Sequence, residues 1–427
     1  MATRIDDDVL QLIFKEFACG EPWKWPDAVY EQEEARRPFL LTAVSRRWRS
    51  LALGTATLWT YFGFPGDVQS YSKHSERLRV LLKASKNAPV DINITLGTAH
   101  DFNSSTISDT AHEAADVLEA VGTLGPRWRN VRFRLPSNVT EHLRPALESP
   151  LPNLVTLSAA TDAEWNILPP APRLKQLYIE FEWSQLAASG GSSAPIWHYP
   201  VLRSFTVMGG SFAIAFCVQN FAILTDVCFN QDMGVPPEQP LQFPQVLSLT
   251  LNDARFLPHI RAPRLTQLRV GGNSIFAFSR PLSGFATVKS LVLYGDIGED
   301  LSTALWPLSG IQVLEFHFPK AVRTCLIRGI EWSTSFSFFR SLNEDARGLT
   351  WPWLRRIHFR RSHDDMLASC YENDLLAFVR ERNTSSLHSQ INARIAEIII
   401  NEPGAIDPST VATLAELTNV LEEYAQE

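Results

Sequence analysis

Two stretches of the chain decide its fold: PRLKQLYI at residues 172–179 and PRLTQLRV at residues 263–270. Both have the form L-x-x-L-x-[LVIF], and the form recurs. Copies run through Trp128/Val131/Phe133, Leu154/Leu157/Ala159, Leu174/Leu177/Ile179, Leu202/Phe205/Val207 and Leu224/Val227/Phe229. They continue through Val246/Leu249/Leu251, Leu265/Leu268/Val270, Val288/Leu291/Leu293, Ile311/Leu314/Phe316 and Leu354/Ile357/Phe359. The central anchors from Val131 to Leu314 are spaced 26, 20, 28, 22, 22, 19, 23 and 23 residues apart. The next gap, Leu314 to Ile357, is 43 residues, so one repeat is either cryptic or replaced by an insertion. Five copies begin with Pro-x-Leu or Pro-x-Val, at 152–154, 172–174, 200–202, 244–246 and 263–265, and WPWL at 351–354 has the same form. A proline just before a strand gives up only one edge donor.

A mean spacing of about 23 residues falls in the range of leucine-rich repeats, and the pattern resembles that family in an irregular form. The resemblance implies an α/β solenoid: a curved parallel sheet with short helices, 3-10 turns or loops on its convex side. Successive strand residues point to opposite faces, so the apolar positions i and i+2 face the core and their neighbours face outward. The outward row includes Arg132, Arg134, Tyr178, Glu180, Asn252, Arg269, Tyr294, His317, Arg356, His358 and Arg360. It is polar, mixed in charge and tyrosine-bearing, which suits a selective protein-binding surface, and solenoids present such extended surfaces to partners. Arg132, Arg134, Arg356 and Arg360 are also candidates to receive a phosphate on the target.

The N-terminal end has a different period. In IDDDVLQLIFKEF, residues 5–17, apolar side chains at Ile5, Val9, Leu10, Ile13, Phe14 and Phe17 form one wide helical stripe. Asp6, Asp7 and Asp8 stand at the helix start, where carboxylates cap free N–H groups and favour the dipole. Residues 20–37 break the pattern and read as a loop or short helical insertion. Residues 38–53, PFLLTAVSRRWRSLAL, resume helical spacing, followed by Leu58 and Trp59.

The ordered runs DDVLQLIF, VSRRWRSLA and LW resemble the F-box over about residues 4–62, in the form common in large fungal (mushroom-type) F-box families. The resemblance implies docking on a Skp-type adaptor and, through it, a cullin and ubiquitin transfer. By analogy Ile5, Val9, Leu10, Ile13 and Phe14 supply the first-helix contact, and Leu40, Val44 and Trp48 match the later helices. The family's usual Leu-Pro start is replaced here by Ile5-Asp6, and the 20–37 insertion is long. These departures keep a second reading open, a repeat-scaffold binding protein whose F-box is degenerate. The expected organisation is F-box at 1–62, a capping helix-strand-helix at 63–127, solenoid at 128–401 and an acidic capping helix at 402–427. Within it, helices are expected over ERLRVLLKAS, 111–122, 373–382 and 408–425, and strands over VDINITL and 394–401.

Composition narrows the rest. The chain is 45% hydrophobic and 20% charged, which is globular rather than disordered. A net charge of −7 argues against broad nucleic-acid binding. Cys19, Cys217, Cys228, Cys325 and Cys370 are scattered, form no CxxC pair and read as buried thiols in a reducing compartment. The first residues lack a signal-peptide core, and no window reaches a membrane-spanning length. Location is therefore expected to be intracellular, cytoplasmic or nuclear, and the sequons at Asn93, Asn103, Asn138 and Asn383 are read as chance. No phosphate loop, nucleophile elbow, zinc-binding helix or dinucleotide fingerprint is present in the sequence. His363-Asp364-Asp365 is read as solvated surface. Neither a catalytic centre nor a cofactor or metal is expected.

Overall fold

A computed structural model describes residues 5–18, 32–64, 71–96, 107–135, 137–161, 169–181, 199–208, 222–229, 240–252, 254–272, 285–295, 308–318, 351–361, 370–384, 394–400 and 408–422. The chain divides into two units, Met1–Gly210 and Ser211–Glu427.

In unit 1 the repeats form parallel strands that follow chain order. These are β1 (Tyr61–Phe64), β2 (Val90–Thr95), β3 (Trp128–Leu135), β4 (Thr156–Thr161), β5 (Gln176–Phe181) and β6 (Ser204–Met208). The anchors picked out by spacing lie in register, Val131 beside Leu157, then Leu177, then Phe205. All four are buried, as are Phe133, Ala159, Ile179 and Val207 two residues on, so the period-2 alternation sets the inward face. Each strand pairs with the next in sequence, a solenoid-like arrangement in which a repeat buries its apolar side against its neighbours.

The helices of this unit are α1 (Asp7–Ala18), α2 (Gln32–Val44), α3 (Arg46–Gly54), α4 (Tyr71–Ser85) and α5 (Ile107–Gly122), with the short α6 (Ser137–Thr140) and α7 (Arg144–Leu147) between β3 and β4. The expected single helix over 38–53 is two. Ser45 is extended (φ −159°) and its hydroxyl accepts from Trp48 N at 3.1 Å, an N-cap that starts α3 afresh. Residues 32–37 of the expected insertion belong to α2, and residues 20–31 lie outside the described part. Two buried tryptophans work alike. Trp59 Nε1 donates to Ala52 O at 2.7 Å and Trp128 Nε1 to Val121 O at 3.2 Å, each satisfying a carbonyl near the end of the preceding helix.

Unit 2 repeats the scheme. Its strands are β7 (Asp226–Phe229), β8 (Leu241–Gln242), β9 (Ser248–Leu251), β10 (Ile260–Arg261), β11 (Gln267–Gly272), β12 (Ser290–Gly295), β13 (Val313–Phe318), β14 (Arg356–Arg361), β15 (Glu397–Ile400) and β16 (Asn419–Glu422). Strands β8 and β10 form a small separate pair; the other eight make a parallel sheet in chain order. Val227, Leu249, Leu268, Leu291, Leu314, Ile357 and Ile398 run across it in register. Because β13 pairs directly with β14, the 43-residue gap is an insertion between neighbouring strands.

The prolines at the repeat starts have a sharper role than edge tolerance. The backbone N–H of the repeat's first apolar residue donates three residues back: Leu154 to Leu151 O, Leu174 to Ala171 O, Leu202 to Tyr199 O and Leu265 to Ala262 O, all at 3.1–3.2 Å. Each is a β-turn with proline second, where its fixed φ favours the turn and no donor is needed. Non-proline versions of the turn close on Val288, at 3.1 Å from Phe285 O, and Ile311, at 3.3 Å from Leu308 O.

At the C-terminal end α8 (Cys370–Thr384) and α9 (Pro408–Leu417) flank β15. The helix expected over 408–425 stops at Leu417, and residues 419–422 form β16 against β15. Asn383 enforces the stop. Its Nδ2 donates to Leu417 O at 2.8 Å and Ile395 O at 3.1 Å, and its Oδ1 accepts from Ile395 N at 2.9 Å. Asn93, at the start of another sequon, is buried. Among the described residues no helix is long and apolar enough to cross a membrane.

Candidate functional site

The most unusual surface lies on the N-terminal helices. Asp6 Oδ1 accepts from Asp8 N at 3.0 Å and starts α1. Arg47 of α3 reaches back to Asp7, with Nε 2.8 Å from Oδ1, and so fixes α1 against α3. Leu10 and Phe14 then face inward, the Phe14 ring 4.8 Å from that of half-buried Trp48. Phe39 meets Trp59 edge-on at 5.2 Å, and Leu41, Ala52 and Leu58 complete this small core.

That core uses only part of the apolar stripe. Ile5, Val9, Leu12, Ile13 and Phe17 of the α1 segment, Leu40 and Val44 of α2, and Leu53 of α3 are all exposed; Leu12 reaches 61% and Val44 59%. Eight of the thirteen large apolar side chains exposed among the described residues therefore fall within residues 5–53. Single exposed apolar residues are ordinary, but clusters of them mark surfaces that meet another protein. Of the eight residues expected to contact an adaptor, Ile5, Val9, Ile13, Leu40 and Val44 are on this surface. Leu10 and Phe14 are not: they belong to the core, because the stripe on α1 is wide enough to supply both an inner and an outer face. Leu12, Phe17 and Leu53 extend the surface beyond the expected set; Phe17 already lay within the helical spacing.

The outward row of the sheet in unit 1 places Asn93, Arg132, Ser158, Tyr178 and Thr206 side by side, with Thr95, Arg134, Ala160, Glu180 and Met208 one row on. Arg134 lies 3.9 Å from Glu180, and Tyr178 Oη donates to Glu180 at 3.4 Å. Arg132, Tyr178 and Glu180 are half-buried and Arg134 is exposed. Beside them sits a clamp. The β2–β3 register shifts between Val90 and Asp91, and there the Arg129 guanidinium turns onto Asp91, with Nε–Oδ1 2.9 Å and Nη2–Oδ2 2.5 Å. Asn130 Nδ2 adds a third donor at 2.8 Å, which is what the carboxylate of a buried residue requires.

In unit 2 the corresponding row is Cys228, Thr250, Arg269, Val292, Glu315 and His358. Burial pushes the Cys228 thiol up to about 11, partly offset by a hydrogen bond with Thr250 and by the Arg269 charge. Cys228, expected to be buried, is half-buried as a whole residue. Arg269 is exposed and Asn252 half-buried. Arg356 is exposed but already ion-paired with Glu397. His358, expected to face a partner, is instead buried at 7%, with Nδ1 3.8 Å from Glu315. Its flanking strands supply large neighbours such as Ile399 that cover it. Tyr294, His317 and Arg360 are adjacent in register, and their side chains lie outside the described part. His363, Asp364 and Asp365 also lie outside it, as do Cys19, Cys217 and Cys325. Among the described residues no group of three His, Cys, Asp or Glu side chains could hold a metal ion.

No family model matches the chain, and no curated protein matches it.

Proposed function

We propose that the chain is a non-enzymatic, substrate-recruiting subunit of a cullin-based ubiquitin ligase. The exposed apolar surface of α1–α3 docks on a Skp-type adaptor, and the leucine-rich-repeat sheet presents the target. The observation that carries this reading is the concentration of apolar side chains on a helical module whose own core is already filled. Burying residues such as Val9, Leu12, Ile13, Leu40 and Val44 against a partner would remove several side chains from water, each contributing about 1.5–3 kcal/mol when fully buried. The ligase part rests on the resemblance of DDVLQLIF, VSRRWRSLA and LW to the F-box. On the target side, Arg132, Arg134, Tyr178, Glu180 and Arg269 offer polar and charged groups on the strand faces. The action is intracellular, and the chemistry belongs to the rest of the complex.

Co-purification with a Skp-type adaptor tests it. Wild type should bind. Val9→Glu/Ile13→Glu and Leu40→Glu/Val44→Glu should not bind, while their circular dichroism spectra and melting temperatures match wild type. A folded wild type that fails to bind would replace the ligase reading with that of a repeat scaffold whose F-box is degenerate.

A further inference from the structure

The turns that open successive repeats of unit 2 leave a groove of about 650 Å³ along the edge where its strands begin. Leu247, Lys289 and Gln312, the residues just before β9, β12 and β13, line it together with Arg264, Gly310 and Trp353 from the turns. Its walls are fixed by a regular ladder. Thr266 N donates to Leu247 O at 2.9 Å, Lys289 N to Thr266 O at 2.9 Å and Gln312 N to Lys289 O at 2.8 Å. The Thr287 hydroxyl adds bonds to Pro263 O and Leu265 O at 3.1 and 2.8 Å. At Gly310 a side chain would stand 3.0 Å from the carbonyl oxygens of Ala286 and Val288, so backbone alone lines the groove there. A rigid, preformed groove loses little conformational freedom when a ligand enters.

Its chemistry is one-sided. Arg264 and Lys289 are cationic, and none of the described lining residues is acidic. Arg355, exposed just before β14 and bonded through its N–H to Gln312 O at 2.9 Å, adds a third cation on the same edge. Arg264 also donates to Gln245 Oε1, which orients the guanidinium without neutralising it. This basic edge stands out in a chain of net charge −7. Leu247 and Trp353, both among the exposed large apolar side chains, give it anchoring surface as well.

We infer that this groove binds an extended acidic peptide segment of a partner protein, carboxylates meeting Arg264 and Lys289 and an apolar side chain covering Trp353. Strands stand about 4.8 Å apart, so the four steps from the Leu247 position to the Arg355 position span roughly 19 Å, the length of about six extended residues. Guanidinium and ammonium groups beside apolar surface suit carboxylates that arrive with a hydrophobic neighbour. A nucleic acid matches less well. It carries closely spaced phosphates that need a longer run of cations, and it would be repelled by the rest of an acidic chain. The inference does not depend on what α1–α3 bind.

The test is an array of acidic ten-residue peptides with one Leu, Phe or Trp moved through the sequence, each beside its Asn/Gln counterpart. It is probed with the full chain, and the best acidic member is then measured by fluorescence anisotropy alongside a twelve-residue thymidine oligonucleotide. Acidic peptides should bind at least tenfold more tightly than their amide counterparts and more tightly than the oligonucleotide. Arg264→Glu/Lys289→Glu should lose at least tenfold, Arg264→Gln/Lys289→Gln somewhat less, and Trp353→Ala severalfold, with unchanged melting temperature. The Gln pair carries the test if the Glu pair does not fold. Equal binding to amide peptides, undiminished binding by the neutralised chain, or preference for the oligonucleotide would each overturn the inference.

Discussion

The Asp91 clamp makes an asymmetric demand on stability. Its two partners differ in solvation: the Asp91 side chain is 12% exposed, whereas that of Arg129 is 44% exposed. In Arg129→Ala the carboxylate stays buried with the Asn130 amide as a remaining donor. Stranding a buried charge costs about 3–5 kcal/mol. The vacated, half-open space admits water, which puts the expected cost near 3 kcal/mol. In Asp91→Ala the guanidinium turns back to solvent, and the loss is that of charge-assisted hydrogen bonds already shared with water, about 1–2 kcal/mol. The double variant should resemble Asp91→Ala, because an arginine without its carboxylate contributes little. The clamp lies within one of two compact units, and a local readout isolates its effect from the rest of the chain. The appropriate assay is therefore native-state amide exchange of β2, read by mass spectrometry. Arg129→Ala should speed exchange there roughly a hundredfold, at about 1.4 kcal/mol per tenfold, and Asp91→Ala about tenfold. Equal effects, or a larger effect for Asp91→Ala, would mean that the desolvated carboxylate is not the controlling element.

Three other expectations follow from the same geometry. Phe14→Ala should cost about 3–5 kcal/mol by thermal denaturation, whereas Val9→Glu/Ile13→Glu should stay within about 0.5 kcal/mol per site; similar losses in both would deny the division of α1 into inner and outer faces. Asn383→Ala removes hydrogen bonds to Ile395 and Leu417 and should cost about 2 kcal/mol, seen as faster amide exchange in β15 and α9 and not in β9–β12. Cys228, with its thiol raised to about 11, should react with iodoacetamide roughly a hundredfold more slowly at pH 8 than an ordinary thiol, and peptide mapping should place the labelling midpoint near 11. The unfolded thiol ionises first, so its contribution to stability is full below about pH 9 and is lost as pH rises from there through 11; a midpoint near 9 would contradict the burial.

The strand core was legible because each anchor obeys a local rule. Val131, Leu157, Leu177 and Phe205 were placed by spacing alone and pair in that register, as do Val227 to Ile357 in unit 2. The helices over α4, α5 and α8 were legible by period in the same way. The terminal strands were not. Tyr61–Phe64 lacks the L-x-x-L approach, and the strand at Asn419–Glu422 is hidden in a run whose Leu414, Leu417, Leu421 and Tyr424 keep helical spacing. Its ending depends on Asn383, distant in sequence and invisible to any window. The outer face of α1 was only half legible. Periodicity assigns Ile5, Val9, Leu10, Ile13 and Phe14 to one stripe, but which arc is filled by Trp48 is a tertiary matter. The same holds for His358, whose outward position in the alternation says nothing of the neighbours that cover it. The basic groove was missed because its residues are one per repeat, too far apart to register as a charged run.

Strand β1 has hydrogen-bonded company on one side, β2. Helices α2 and α4 lie against it. Helix α2 is therefore also part of the cover of this terminal strand. A chain cut away up to Gly54 would lose α2 from beside YFGF, and an aromatic terminal strand with less cover is a template for pairing with another chain. Cleavage that removes α1–α3 would then do more than take away an apolar surface: it would leave an edge strand open to aggregation.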